Sequence, residues 1–246
     1  MDQLLFQHLC EEYAARERNP SGIGTLSEKT IHAVLKDYMD SNPVHQEQPL
    51  LGYVADIFDG SAVVEVQTRS FDRLRGKLSA FLDQVPVTVV HPIPDTKWLI
   101  WVNQETGEQS VPRKSPKSGN ILSVMKELYK VKSYLKNPNL HFHFLFLDMN
   151  EYRLLNGYST NRKKGSTRLE RIPSCITHEI TIDTPEDYQI FLPDTLPDTF
   201  TSADLQKQGH VTLSTAQTSL NILTYMETVT RIGKEGNRIQ YQKTFH

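Results

Sequence analysis

The chain has 246 residues, of which 38% are hydrophobic and 23% are charged, the balance of an ordinary globular protein. This composition excludes a wholly disordered chain, and no apolar run approaches the roughly 18–20 residues that a membrane-spanning helix needs. The formal net charge of −2 excludes a protein that binds nucleic acid through bulk positive charge. Two distant cysteines, Cys10 and Cys175, and a start without a secretory signal predict a cytoplasmic protein without a disulfide framework.

Apolar periodicity predicts helices and strands in alternation through most of the chain, and therefore an α/β fold. The expected elements, in chain order, are a helix over residues 3–16, a helix from Ser27 to about Met39, a hairpin over 54–68, a helix in SFDRLRGKLSAFLDQ, strands in PVTVVHPI and KWLIWVN, an amphipathic helix in GNILSVMKELYKVKSYL and a buried strand in LHFHFLFLDM.

The last part of the chain is expected to form a small domain of its own. Residues 183–199 are rich in proline and acidic side chains and predict a linker. Two helices capped by Ser202 and Ser214 follow, and then a hairpin. A helix, a turn, a second helix and a two-stranded wing resemble a winged helix-turn-helix domain. We therefore expect a main domain over 1–182, the linker, and a winged helix-turn-helix domain over 200–246.

Positive charge is concentrated in two stretches of an otherwise neutral chain. Residues 111–136 contain seven lysines or arginines and one acidic residue, and residues 160–174 contain five and one. Such stretches are either solvated surfaces or contact regions for a polyanion such as nucleic acid.

The hairpin carries acidic residues inside apolar strands. If Asp59-Gly60 is a two-residue loop, Asp56 lies opposite Val63 and diagonal to Glu65. Strand alternation then places Asp56, Glu65 and Gln67 on one face. Two carboxylates this close oppose joint ionisation and together suit a hard cation such as Mg²⁺. The alternative is structural: Asp56 would satisfy a loop, and Glu65 would pair with a nearby arginine.

These residues resemble the core of the PD-(D/E)xK, or restriction-endonuclease-like, nuclease superfamily. Asp56 matches its first acid and Glu65 its second, while Gln67 stands at the lysine position. The resemblance implies an αβββαβ core, catalytic roles for Asp56, Glu65 and Gln67, and a Mg²⁺ or Mn²⁺ ion held by Glu28, Asp56, Glu65 and the carbonyl of Val66. For Glu28 a position in the first turn of a helix, where it complements the helix dipole, is the alternative.

The neutral Gln67 is a departure from the family pattern. A lysine at that position would stabilise charge on the attacking water and the phosphorus, whereas an amide can only orient a water molecule. This change is compatible with the resemblance, because some restriction enzymes with Glu-x-Gln are active.

The expected function is therefore that of a metal-dependent DNA endonuclease, possible as a homodimer, with no nucleotide cofactor because no phosphate-binding glycine loop occurs. The residues expected to contact DNA are Arg69, Arg73, Lys77, Arg113 and Lys114 in the main domain, Gln217, Thr218 and Asn221 on the second helix of the small domain, and Arg231, Lys234 and Arg238 on its wing. A nuclease fold that binds DNA without cutting it, and a protein-interaction scaffold, are the alternatives.

Overall fold

The computed structural model describes residues 2–17, 29–155 and 167–244. The helices are α1 (Gln3–Glu17), α2 (Lys29–Met39), α3 (Arg75–Phe81), α4 (Met125–Lys130), α5 (Ser202–Gln208) and α6 (Leu213–Tyr225). The strands are β1 (Gln46–Leu50), β2 (Tyr53–Phe58), β3 (Val63–Val66), β4 (Val87–Val102), β5 (Arg113–Lys114), β6 (Leu140–Leu154), β7 (Thr167–Ile182), β8 (Thr199–Thr201), β9 (Val229–Glu235) and β10 (Arg238–Lys243). Short 3₁₀ turns lie at Phe71–Leu74, Ile121–Val124, Lys132–Tyr134 and Pro185–Phe191. No helix in these ranges is long and apolar enough to cross a membrane.

One mixed sheet organises the first part of the chain. Its strands lie in the order β1-β2-β3-β4-β6-β7, and the short β5 pairs with the distal part of β4. The first three strands are antiparallel, whereas β3 pairs with β4, and β4 with β6, in parallel. A parallel pair needs a crossover, and α3 and α4 are the helices of these two crossovers. The described order from α2 to β4 is therefore helix, three strands, helix, strand.

The two faces of the sheet have different partners. On one face α3, α4 and the C-terminal elements share a core cluster with β3, β4 and β6 through residues such as Val63, Val89 and Phe144. On the other face α1 and α2 pack on Val66, Val90 and the alternate residues of β6. The apolar run of β6 is explained by this arrangement, since both of its faces are covered. The α/β class expected from the sequence is confirmed.

Some predicted elements have other boundaries in the structure. The two strands predicted in PVTVVHPI and KWLIWVN are one strand, β4, with an irregularity in its pairing to β6 between Pro94 and Lys97. The long helix predicted after Asn120 is divided into two 3₁₀ turns and the short α4. The predicted cap Ser27 lies outside the described residues.

The C-terminal elements form a compact unit. Strand β8 pairs with β10, which pairs with β9, so the three strands form a small sheet beside α5 and α6. The helix caps differ from the predicted serines: Thr201 accepts a hydrogen bond from the amide of Ala203, and Thr212 from that of Thr215. Threonine at these positions satisfies amides that the first helical turn leaves without a partner.

Residues 183–199 are packed against the rest of the protein, unlike the linker that their composition predicts. They contain a 3₁₀ turn, and the side chains of Tyr188, Phe191 and Leu196 are buried in the core cluster shared by α3, α4 and the C-terminal unit. The amide of Asn120 also donates to the carbonyl of Gly209 over 2.7 Å, between the two parts of the chain. The apolar residues within the acidic segment therefore join the two parts into one packed body.

This continuity predicts cooperative unfolding. We expect Phe191→Ala to lower the free energy of unfolding by about 3–5 kcal/mol, the cost of removing a buried phenylalanine, in urea denaturation followed by circular dichroism. The matched control is Ile190→Ala, because Ile190 is its neighbour in the same turn and is 51% exposed; that change should stay within about 0.5–1 kcal/mol. Two separate transitions, with neither moved by Phe191→Ala, would contradict the shared core.

Candidate functional site

The β2–β3 hairpin brings its two acidic residues close together, since the amide of Asp56 lies 3.4 Å from Oε1 of Glu65. Phe58 pairs with Val63 and Ile57 with Val64, and the pairing of the two strands ends there. The prediction that Asp56 lies opposite Val63 is wrong by two positions. A shift of two keeps the parity of the paired residues, since successive side chains alternate between faces.

The turn is longer than predicted because the Asp59 side chain organises it. Its Oδ1 accepts hydrogen bonds from the amide and the hydroxyl of Ser61 and from the amide of Ala62. These bonds lower the pKa of Asp59 to about 2. Gly60 has a φ of 95°, a conformation that residues with a Cβ rarely adopt. The loop therefore spans four residues, and the strands begin to pair only at Val63.

Glu65 is a buried carboxylate with a cationic partner. The residue is 2% exposed, and the Nζ of Lys77 donates to its Oε1 over 2.9 Å and to its Oε2 over 2.7 Å. Lys77 comes from α3, which approaches β2 closely because residue 76 is a glycine: a Cβ there would lie 2.7 Å from the Tyr53 hydroxyl. The helix after the hairpin therefore supplies the ammonium group that Glu65 needs.

Asp56 is fixed by groups from two other elements. The amide of Val66 donates to its Oδ2 over 2.8 Å, and Nε2 of His32, on α2, lies 3.2 Å from the same oxygen. The amide of Asp56 in turn lies 3.4 Å from Oε1 of Glu65. Since α2 and α3 cover opposite faces of the sheet, the acidic pair receives one basic side chain from each helical layer.

The two carboxyl groups have opposite pKa shifts. Burial, together with the neighbouring charge of Asp56, raises the pKa of Glu65 to about 7, although Lys77 opposes the shift. Burial also acts to raise the pKa of Asp56, but the hydrogen bond and charge of His32 and the charge of Lys77 outweigh it, so the net pKa is lowered. Such a separated pair is typical of a site where a proton or a cation is exchanged.

Gln67 is directed away from this group, whereas Lys77 stands beside it. The side-chain amide of Gln67 donates to the Ser70 carbonyl over 2.8 Å, and the backbone carbonyl of Gln67 accepts from Nδ1 of His91 over 2.5 Å. The cationic side chain beside the carboxylates is Lys77, whose expected role was DNA contact. The fourth predicted metal ligand, Glu28, lies outside the described residues.

A divalent ion fits the two carboxylates only in part. Within residues 2–17, 29–155 and 167–244, no three His, Cys, Asp or Glu side chains are grouped to hold a metal. Asp56 and Glu65 supply oxygen donors at one point, and the Val66 carbonyl belongs to the same strand end, which is the donor chemistry that Mg²⁺ prefers. The ammonium of Lys77 already neutralises part of this charge.

The other basic residues expected to contact DNA in the first part of the chain are exposed. Arg69 follows β3, and Arg73 lies in the 3₁₀ turn that precedes α3. Arg113 and Lys114 form β5, which pairs with Leu99 and Trp98 on β4. These four residues are accessible to a ligand.

In the C-terminal unit only part of the expected DNA-binding surface is accessible. Arg231, Lys234 and Arg238 are exposed on the β9–β10 hairpin, and Gln217 is exposed on α6. Asn221, however, accepts a hydrogen bond from Nζ of Lys132 over 2.7 Å, so it is engaged in the packing of α6 against the first part of the chain. Thr218 is half-buried, and its hydroxyl donates to the carbonyl of Ser214 within α6. The side-chain oxygen of Asn221 is therefore already engaged, and contact of Asn221 with a base stays a prediction.

His32 was not identified from the sequence. It lies beside Ile31, Val34 and Leu35, the apolar stripe of α2, but outside the stripe itself, so apolar periodicity treats it as a surface residue. Its spacing of four residues from Glu28, one helical turn, was the available signal.

The raised pKa of Glu65 predicts a pH dependence of stability that one substitution removes. The folded state holds the proton of Glu65 up to a pH of about 7, whereas its ordinary pKa is 4.5. Its contribution to stability is therefore complete below pH 4.5 and is lost as the pH rises to about 7. We expect the stability of the wild type relative to Glu65→Gln to fall by on the order of 2–3 kcal/mol across that window, in urea titrations with EDTA.

The control for this titration is Glu108→Gln, since Glu108 is an exposed turn residue. Its stability difference from the wild type should stay constant over the same pH range. A constant difference for Glu65→Gln as well would show that Lys77 keeps Glu65 ionised throughout.

Comparison with known proteins places the chain in a family. Residues 29–183 match the family described as Domain of unknown function (DUF8091), a range that runs from α2 to the end of β7 and includes the carboxylate pair and Lys77. A stretch of 127 residues, 51% of the chain, is 32% identical to a protein of Treponema pallidum (strain Nichols) named "Uncharacterized protein" and covers 50% of it, so the match spans about half of that relative. No solved structure matches significantly. Because the family match covers more than half of the chain, this protein belongs to the DUF8091 family.

Proposed function

We propose that this protein is a divalent-metal-dependent nuclease that hydrolyses phosphodiester bonds in DNA. The observation that carries the proposal is the group formed by Asp56, Glu65 and Lys77, two carboxylates on paired strands with an ammonium beside the more buried one. The order of elements from α2 to β4 supports it, because an αβββαβ core is what the resemblance to PD-(D/E)xK nucleases implies.

In this proposal the carboxylates of Asp56 and Glu65 and the carbonyl of Val66 would hold Mg²⁺ or Mn²⁺. The ion would supply neutralisation of phosphate charge and acidification of a water molecule. Holding such an ion requires both carboxylates to be ionised. The lowered pKa of Asp56 meets this requirement directly, and a cation at the site would relieve the repulsion that raises the pKa of Glu65.

The protein's own groups then have separate roles. Lys77 places a positive charge next to Glu65, where it can stabilise the negative charge that develops on the phosphoryl oxygens. The amide of Val66 and the ring of His32 orient Asp56, so that its remaining oxygen is directed by two fixed contacts. Gln67 has no part in this step, because its amide is bonded to the loop after β3.

The C-terminal unit supports a role in DNA binding. Its order of strand, two helices and a two-stranded hairpin agrees with a winged helix-turn-helix arrangement, and the exposed Arg231, Lys234 and Arg238 suit phosphate contacts from the wing. The packing of Asn221 against Lys132 makes the wing, rather than base contacts from the whole of α6, the principal DNA-binding element of this unit. Cutting both strands of a duplex would use two copies of the chain, one for each strand.

Plasmid nicking in the presence of Mg²⁺ or Mn²⁺ tests the nuclease proposal. We expect Asp56→Asn, Glu65→Gln and Lys77→Met each to lower the cleavage rate by about 10²–10³-fold, the typical effect of removing one charged group that stabilises the transition state. Gln67→Ala should retain most of the activity, since its side chain is bonded to Ser70. The control Glu186→Gln, at an exposed acidic residue of a 3₁₀ turn, should not change the rate.

The contrast between Lys77 and Gln67 makes this experiment decisive for the site. All variants must first show the far-ultraviolet circular dichroism and the cooperative melting of the wild type. Loss of activity in Gln67→Ala with retention in Lys77→Met would contradict the proposed role of Lys77. Activity that survives both Asp56→Asn and Glu65→Gln would show that a contaminant, rather than this site, cleaves the DNA.

A second function is favoured by one specific observation. Nζ of Lys77 contacts both oxygens of Glu65, so the buried carboxylate has a partner without any metal. In that case the fold would bind DNA without cutting it. Binding of duplex DNA that weakens steeply with salt, together with no cleavage under any divalent ion, would identify this second function and reject the first.

A further inference from the structure

A second ionic group lies on the sheet, outside the carboxylate pair. Glu151, on β6, is completely buried, and both of its oxygens are bonded to arginines. Arg171, on β7, donates from Nε to Oε2 of Glu151 over 2.9 Å, and Arg153 donates from its own Nε to Oε1 over 2.6 Å. The strand register explains the contact, since Arg171 is the cross-strand partner of Glu151.

Two further basic side chains lie near Glu151. Lys97, on β4, and Arg168, on β7, also belong to the ionic group, because both side chains interact electrostatically with Glu151 and with its two arginine partners. Burial first, and then the neighbouring arginines, lower the pKa of Lys97 and of Arg168. Arg153 and Arg171 bond to Glu151, and Lys97 and Arg168 lie within electrostatic range of it. Crowded like charges of this kind are stabilised by an anion.

A small cavity lies beside the two β7 arginines. Arg168 and Arg171 line one side, and the other walls are Ile31, Thr68, Pro92, Pro94 and Met149. The cavity volume is about 30 Å³, room for a few water molecules or the oxygens of one tetrahedral anion rather than for a nucleobase. Glu151 holds Arg171 in place, whereas Arg168 has no side-chain hydrogen bond within the described residues and is more than a third exposed.

Some residues that line the cavity are close in sequence to residues of the carboxylate pair or its contacts. Ile31, in its wall, precedes His32, which contacts Asp56. Thr68, also in its wall, lies three residues after Glu65. The α2 helix and the end of β3 therefore contribute to both places. A planar guanidinium binds phosphate oxygens through paired N–H groups, which makes arginine the side chain best suited to a phosphate at this position.

We propose that the cavity between Arg168 and Arg171 is a phosphate-binding subsite for a nucleic-acid strand that passes the carboxylate pair. The inference rests on the proposed function for the identity of the strand. Arg168 and Arg171 contact the phosphate, while Glu151 positions Arg171. The ligand is a phosphate group, either a terminal monoester or an internal diester of the strand, and the subsite has no preference for a base.

Arg168→Ala is the test, because it removes a cation without leaving Glu151 unpaired. Binding of a fluorescent DNA duplex by the full-length protein is measured by anisotropy at several salt concentrations, in EDTA so that no cleavage occurs. We expect affinity to fall about tenfold for any base sequence, and the slope of log K against log salt to decrease by about 1, as for the loss of one phosphate contact. The control Lys126→Ala removes an exposed charge of α4, on the opposite face of the sheet, and should leave both quantities unchanged.

Inorganic phosphate provides a second measurement that does not depend on DNA. Phosphate should raise the melting temperature of the wild type and of Lys126→Ala, and should raise that of Arg168→Ala less. Arg171→Lys keeps a cation opposite Glu151 but loses the planar fork, so it should fold and still show the reduced phosphate effect. Equal salt slopes and equal phosphate effects in the wild type and Arg168→Ala would overturn the proposal.

Two further measurements identify the source of the phosphate and distinguish the subsite proposal from the nuclease proposal. A larger loss on a duplex with a 5′-phosphate than on the same duplex with a 5′-hydroxyl identifies a terminal monoester, and equal losses identify an internal diester; both outcomes support the subsite. A wild type that never cleaves DNA but shows the Arg168-dependent slope would reject the nuclease while retaining the subsite. Cleavage with no Arg168 effect on binding would do the reverse.

Discussion

The pairing of two carboxylates on adjacent strands is the constraint on which the candidate site depends. Glu65 is almost completely buried, and Asp56 lies close to it, so burial and mutual repulsion both disfavour the doubly ionised state. Lys77 from one helical layer contacts Glu65, and His32 from the other layer contacts Asp56, which stabilises the two carboxyl groups. The acidic pair at the end of β3 therefore depends on the positions of α2 and α3 on opposite faces of the sheet, because each helix supplies one of the two basic side chains.

The closeness of Asp56 and Glu65 was predicted from the sequence, whereas the register of their hairpin was not. The sequence DG suggested a two-residue loop, but hydrogen bonds to the Asp59 side chain build a four-residue loop instead. The observed register pairs Phe58, rather than Asp56, with Val63, and the basic partners of the two acids come from helices on opposite faces of the sheet. Helices with clear apolar stripes, such as α2, were predictable because a periodic pattern still indicates a helix when the ends of the helix are misplaced by a residue or two.

The features that escaped prediction depend on partners distant in sequence. Strand β7 reads as a mainly polar segment, and only its pairing with β6 makes it a strand. Glu151 would be an improbable interior residue until Arg171 is placed opposite it, 20 positions later in the chain.

Lys77 has the spacing of a surface residue of α3, and its contact with Glu65 follows from the close approach of that helix to Tyr53 at Gly76. The acidic segment before β8 was predicted to be a linker from its composition, although it contains Tyr188 and Phe191, which are buried in the structure.

Helix α2 connects the two ionic groups, and this has a consequence for how a substrate would be held. Its residue His32 contacts Asp56, while the preceding residue, Ile31, lines the cavity beside Arg168 and Arg171. A strand whose phosphate lies in that cavity would be fixed relative to the carboxylates by one rigid element rather than by a loop, and positioning of this kind is a large part of phosphodiester catalysis. The basic side chains beside the cavity and the carboxylates of Asp56 and Glu65 would then act on one ligand, the first holding a phosphate and the second holding the cation that the neighbouring phosphate requires.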